Sequence, residues 1–209
     1  MRPVIMIAGE EAYYRGDYAT AFRELTPLAE SGDAFSEYLL GLMYAQGAGV
    51  PQNFKQAEFW LLLAAEQGHA QAQEFLGGMY ANGEGAPVDF KEAVRWYRLA
   101  AEQGEAKAQF NLGVMYAEGQ GVPQDFKDAM QWYRLAAMQG DADALFNLGV
   151  LYAKGEGVPV DYVLAYMWFN LAAAQGEKDA TDLLGSLGKK MTPAQIEEAQ
   201  KLAREWKPG

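Results

Sequence analysis

Groups able to do acid–base, nucleophilic or metal chemistry are scarce in these 209 residues. There is one histidine, His69, and three serines, Ser31, Ser36 and Ser186; cysteine is absent. General acid–base or nucleophilic catalysis needs such groups to converge with an orienting partner, and a zinc-type metal site needs ligands at set spacing. His69 has no second histidine to pair with, and the carboxylates are scattered. No catalytic, metal-ligating or cofactor-binding residue is assigned, no cofactor is expected, and the chain is not read as an enzyme. His69 sits where Glu105, Asp141 and Glu177 recur at intervals of 36 residues, and these positions read as solvated connectors.

The balance of the chain points the same way. Half of it is hydrophobic and 13% aromatic, ample for a buried core. The formal net charge is −11, yet the segment after Gly176 and Glu177 carries six Lys/Arg against five Asp/Glu, so the acidity lies before Lys178. Affinity for nucleic acid comes mainly from Lys and Arg on phosphates, so nucleic acid is excluded as a partner and a protein or peptide with a basic segment fits better. Without cysteine there is no disulfide framework and no clue to compartment. The early apolar run Val4–Ala8 is too short to span a bilayer. No membrane insertion is expected, and the location reads as cytoplasmic, or periplasmic or secreted if a signal has been removed.

What must position any functional side chain is an internal repeat. A shift of 36 residues aligns Ala34, Ala70, Ala106 and Ala142, and defines repeats at 34–69, 70–105, 106–141 and 142–177. Each reads helix, loop, helix. In the first helix Ala72, Leu76, Gly77 and Tyr80 recur at helical spacing as an inward face. Gly41, Gly77, Gly113 and Gly149 each cost roughly 1 kcal/mol relative to alanine inside a helix, so a close approach is expected, with the small Ala57, Ala93, Ala129 and Ala165 of the second helix as its partners. The loop holds paired glycines such as Gly47 and Gly49, a proline at 51, 87, 123 and 159, and Asn53, Asp89, Asp125 and Asp161 as N-caps of the second helix. Trp60, Trp96, Trp132 and Trp168 follow, and are expected to be buried, with Trp96→Ala or Trp132→Ala costing about 3–5 kcal/mol. Paired alanines and a Gln-Gly stop, such as Gln103 and Gly104, end the unit.

The succession A-x-A-x-x-x-L-G-x-x-Y, G-x-G-V-P-x-D-F, A-x-x-W and A-A-x-Q-G closely resembles the Sel-1-like repeat family, relatives of the tetratricopeptide repeat. Gly121, Val122, Pro123, Asp125 and Phe126 give its loop signature in full; Ala86 and Tyr162 are mild departures. The resemblance implies an all-α, right-handed solenoid of antiparallel helix pairs whose first helices line a concave groove. It also implies an adaptor or scaffold that holds other proteins. Two alternatives remain: a regulator restraining a sensor or envelope enzyme, and a β-lactam-binding or hydrolysing enzyme, as suggested for cysteine-rich relatives whose paired cysteines this chain lacks.

The ends differ from the repeats. Residues 1–33 read as an N-terminal capping half-repeat with Asp17 as N-cap; 178–209 read as a degenerate helix at Ala180 to Leu187 plus a C-terminal capping helix. That last helix opens on a capping box of Thr192 and Gln195 around Pro193, and carries a stripe of Ile196, Ala199, Leu202, Ala203 and Trp206. In the fourth repeat Val163, Leu164, Tyr166 and Met167 stand where the middle repeats are polar, a patch that the terminal helix should cover. The whole is read as one continuous solenoid and as a monomer, with a dimer through the C-terminal region as the alternative.

If the first helices line the groove, the face turned away from Leu76 and Tyr80 presents Tyr38, Glu74, Phe110 and Phe146 in one row and Leu42, Gly78, Val114 and Val150 in the next, with Asn111 and Asn147 beside them. Apolar anchors interspersed with amides suit an extended or helical peptide. Glu74 and Gly78 interrupt both rows and leave a notch suited to a partner's Lys or Arg. The opposing reading is that Phe110 and Phe146 only pack between neighbouring first helices.

Overall fold

A computed structural model describes residues 7–208; the first three residues of the run Val4–Ala8, and with them the start of the expected N-terminal half-repeat, lie outside that range. Among the described residues there are twelve α-helices and no strand. They fall into two compact units, one ending at Gln103 and the other beginning at Gly104. The first holds α1 (Ala8–Tyr14), α2 (Tyr18–Glu30), α3 (Ala34–Gln46), α4 (Phe54–Glu66), α5 (Ala70–Asn82) and α6 (Phe90–Glu102). The second holds α7 (Ala106–Glu118), α8 (Phe126–Met138), α9 (Ala142–Lys154), α10 (Tyr162–Ala174), α11 (Lys178–Gly188) and α12 (Pro193–Glu205). Within each unit every helix packs on the next, except that α12 lies on α10.

Local chemistry sets these boundaries. Asn53, Asp89 and Asp125 each accept hydrogen bonds from two backbone N–H groups of the helix they open, and Asp161 accepts one from Leu164. Asp17 caps α2 through Thr20 N–H, and Thr192 with Gln195 closes the capping box of α12. Side-chain oxygens at these places satisfy donors that a helix start leaves orphaned. The first helices end on Gly47, Gly83, Gly119 and Gly155 at φ between 70° and 74°. The loop is then fastened by the next cap residue, as Asn53 N–H donates to Tyr44 O at 2.9 Å and Asp161 N–H to Tyr152 O at 3.0 Å. The second loop glycine serves a neighbouring helix. A Cβ on Gly49 would stand 2.6 Å from Tyr18 Cβ, and one on Gly85 would stand 2.8 Å from Phe54 Cβ. The loop of one repeat therefore rests directly on the start of the preceding second helix.

The helix glycines mark the tightest packing, but not against the residues that periodicity favours. A Cβ on Gly41, Gly77, Gly113 or Gly149 would lie 2.5–2.7 Å from the side chain of Leu61, Tyr97, Tyr133 or Phe169 respectively. The alanines Ala57, Ala93, Ala129 and Ala165 are buried, and the carbonyls of Ala57 and Ala129 come within 3.3 Å of the same point, yet the first obstacle is the residue four places further on. The tryptophans are displaced by this arrangement. Because Leu61, Tyr97, Tyr133 and Phe169 occupy the line facing the first helix, the preceding Trp sits at its edge. Trp96 is 3% exposed and belongs to the core with Leu61, Leu76 and Met79, whereas Trp60, Trp132 and Trp168 are half-buried. The expected equal burial of all four is corrected accordingly.

At the far end of the second unit, α12 covers α10: the Trp206 and Trp168 rings meet edge to face at 5.9 Å, and Met167 is buried while Val163, Leu164 and Tyr166 are half-buried. Among the described residues no helix is long and apolar enough to cross a membrane.

Candidate functional site

In the first unit the candidate residues lie on α3 and α5. Tyr38 is half-buried, its ring stacked on His69 at 4.6 Å with 26° between planes, and Phe35 completes the group 5.7 Å from His69. His69 is thus no solvated connector. It is half-buried, and its Nδ1 accepts the Ala72 N–H at 3.3 Å as the N-cap of α5, just as Asp33 and Asp141 cap α3 and α9. Burial lowers its pKa against the opposing pull of Asp33, which keeps Nδ1 able to accept. Among the described residues no group of three or more His, Asp or Glu is placed to hold a metal ion.

Leu42 lies in the core with Leu39, Leu40 and Met43, and so offers a partner little surface. Glu74 and Gly78 are half-buried, and a Cβ on Gly78 would come 3.7 Å from the Tyr97 hydroxyl. The notch is therefore floored by Tyr97, which burial first, and the charges of Glu74 and Glu84 second, hold firmly in its protonated form.

In the second unit the candidates lie on α7 and α9, and all six, Phe110, Asn111, Val114, Phe146, Asn147 and Val150, are half-buried. Phe110 packs its ring on Tyr133 at 5.8 Å and Phe146 on Phe169 at 5.6 Å. Each aromatic is seated on the second helix of its own repeat. Val114, Asn147 and Val150 border a cleft of about 410 Å³ backed by Phe126 and Tyr133, with Glu118 and Lys154 at its edge. Asn147 donates from Nδ2 to the Asp143 carbonyl at 3.0 Å. Burial and the Glu118 charge raise the pKa of Tyr133 at the back of this cleft.

Val150 and Lys154 also line a second, more apolar cavity of about 220 Å³ between α9, α10 and α11, closed by Phe169, Leu183 and Leu187. Its polar residues are Lys154, Lys190, Ser186 and Tyr162, and Lys190 Nζ stands 5.9 Å from the Tyr162 ring centre. The repeat register reaches this cavity: a shift of 36 residues carries Asn147 to Leu183, Val150 to Ser186 and Lys154 to Lys190, so α11 continues the pattern of α9 past the fourth repeat, and that shift was the signal available.

The family of Sel1 repeats matches residues 34–69, 70–105, 106–141 and 142–177. The chain belongs to the Sel1 repeat family. Two solved Sel1-type structures resemble it closely. One, a protective antigen of uropathogenic Escherichia coli strains displaying an SLR fold, is 35% identical with a TM-score of 0.84 over 93% of this chain. The other, a Sel1 repeat protein from Oxalobacter formigenes, is 35% identical with a TM-score of 0.83 over 92%. The chain spans 44% of the length of the first and 83% of the second. No curated protein matches it. Sel1 repeat proteins generally mediate protein–protein interaction, typically as non-enzymatic scaffolds, and the all-α solenoid seen here is their fold.

Proposed function

We propose that this Sel1 repeat protein is a non-catalytic adaptor that holds a segment of a partner protein against its first helices. The observation that carries the reading is the cleft of about 410 Å³ where Val114, Val150 and the Asn147 amide stand half-buried over Phe126 and Tyr133, with the charged Glu118, Lys154 and Glu156 also in its lining. Apolar anchors beside amides are what an extended or helical segment needs for affinity and register. Phe110, Asn111 and Phe146 extend the same surface on α7 and α9, and Tyr38, Glu74 and Gly78 are its counterpart on α3 and α5 of the first unit, where the buried Leu42 takes no part. There the Glu74 carboxylate beside Gly78 suits a partner's Lys or Arg.

The test is a photo-crosslinking residue at Val114, with one at Leu135, an exposed position of α8, as control. The adaptor reading expects one protein captured from 114 and not from 135, and expects that protein to stop copurifying with the Asn147→Arg variant. Equal capture from both positions, or copurification indifferent to Asn147→Arg, overturns it.

A further inference from the structure

The cavity between α9, α10 and α11 differs in chemistry from the rest of the surface. The chain is acidic overall, yet the charged residues lining this cavity are two lysines, Lys154 and Lys190, joined by the hydroxyl-bearing Ser186 and Tyr162, around walls of Val150, Phe169 and Leu183. At about 220 Å³ it is smaller than the roughly 300–1,000 Å³ typical of small-molecule sites. It has the capacity for one large side chain. Two cations at the mouth of a one-side-chain apolar cavity ask for a ligand that carries an apolar group and a negative charge on the same residue. Among unmodified residues a large apolar side chain and a negative charge meet only at the C-terminus of a polypeptide, where the α-carboxylate carbon is two bonds from the Cβ of its own side chain. The lysines are able to serve it: Lys154 makes a 3.9 Å ion pair to Glu156 with its side chain 61% exposed, and Lys190 Nζ lies over the Tyr162 ring. Exposed pairs of that kind contribute little, so exchanging Glu156 for an incoming carboxylate costs little.

We infer that this cavity captures the C-terminus of a partner protein, taking its last, large apolar side chain between Phe169 and Leu183 and its carboxylate between Lys154 and Lys190. This inference rests on the adaptor reading and adds the part of the partner that anchors at α9–α11. The test uses the full chain and a library of random heptapeptides displayed with free C-termini. Selection should enrich peptides that end in an aromatic or large aliphatic residue. A synthetic winner should bind about tenfold more weakly as its C-terminal amide, and its free acid should lose a similar factor against the Lys154→Gln/Lys190→Gln variant, as expected for losing charge-assisted contacts. That variant changes only surface charge and is checked for unaltered unfolding. No enrichment, winners without a large apolar last residue, or equal binding of acid and amide overturns the inference. If any of these occurs while capture from Val114 succeeds, the cavity fails alone. If the library selects as expected while Val114 captures nothing specific, it is the cleft reading that falls.

Discussion

At two adjacent positions α3 of the first unit is built differently from the first helices of the second. In α3 of the first unit Ser36 and Glu37 are both buried, and the Ser36 Oγ has no hydrogen-bond partner. In the second unit the same places hold Ala108 and Gln109 on α7, and Ala144 and Leu145 on α9. The geometry around the Glu37 position nevertheless repeats. Gln67 Nε2 donates to Glu37 at 2.7 Å, and Gln139 Nε2 donates to Gln109 at 2.9 Å. The repeat thus fixes a contact between the end of a second helix and the start of the first, and leaves open whether the acceptor is charged. Burial raises the pKa of Glu37, with the Gln67 hydrogen bond opposing, so at α3 this contact carries a charge that the fold disfavours, whereas at α5 Gln103 donates to the uncharged Gln73.

The comparison can be broken most forcefully at the tryptophans. Trp96→Ala in the first unit should cost about 3–5 kcal/mol, the range for emptying a fully buried large side chain. Trp132→Ala in the second, being half-buried, should cost about half as much. Urea unfolding of both measures the difference, and equal losses would show that exposure misjudges their packing. Next come the glycines. Gly149→Ala should destabilise by about 1–3 kcal/mol, because its methyl would meet the rigid Phe169 ring at 2.6 Å. Gly41→Ala should fall at the low end of that range, since it meets the movable Leu61 side chain. Phe169→Leu in the Gly149→Ala background should then recover part of the loss.

The polar pair sharpens the contrast at smaller scale. Glu37→Gln gives α3 the residue of α5 and α7, and should stabilise by on the order of 1 kcal/mol at neutral pH. Because the folded pKa lies above the ordinary 4.5, the ionised form is the one the fold disfavours. The penalty is greatest above the folded pKa and vanishes as pH falls towards 4.5, so the advantage of Glu37→Gln should shrink over that interval. An advantage independent of pH would assign the gain to something other than charge. Smallest is Ser36→Ala, which removes an orphaned hydroxyl and places in α3 the alanine found at 72, 108 and 144; a gain below about 1 kcal/mol is expected from thermal unfolding.

The helices and their ends were legible because they depend on local chemistry: Asn53, Asp89, Asp125 and Asp161 cap whatever surrounds them, and a glycine at positive φ ends a helix by itself. What faces what was harder to read. Trp96 and Tyr97 recur with the same period, and periodicity cannot tell which of two adjacent large residues points at Gly77; the crossing of the two helices decides it. His69 misled for a related reason. Its position suggested a connector, and the rings of Tyr38 and Phe35, brought up by α3, make it a half-buried cap. Of the candidate surface, the rows on α7 and α9 could be followed from spacing, whereas the cavity against α11 required following the 36-residue shift past the fourth repeat, where Leu184 and Gly185 still align with Leu148 and Gly149 but Asp182 replaces Phe146.

The bonds from Gln67 to Glu37, from Gln103 to Gln73 and from Gln139 to Gln109 each span 30 residues, so the side-chain ties that close a repeat are all made inside it. Chains whose contacts are this near in sequence have low contact order and assemble quickly, without waiting for distant segments to meet. A repeat leaving the ribosome carries both halves of its own clasp.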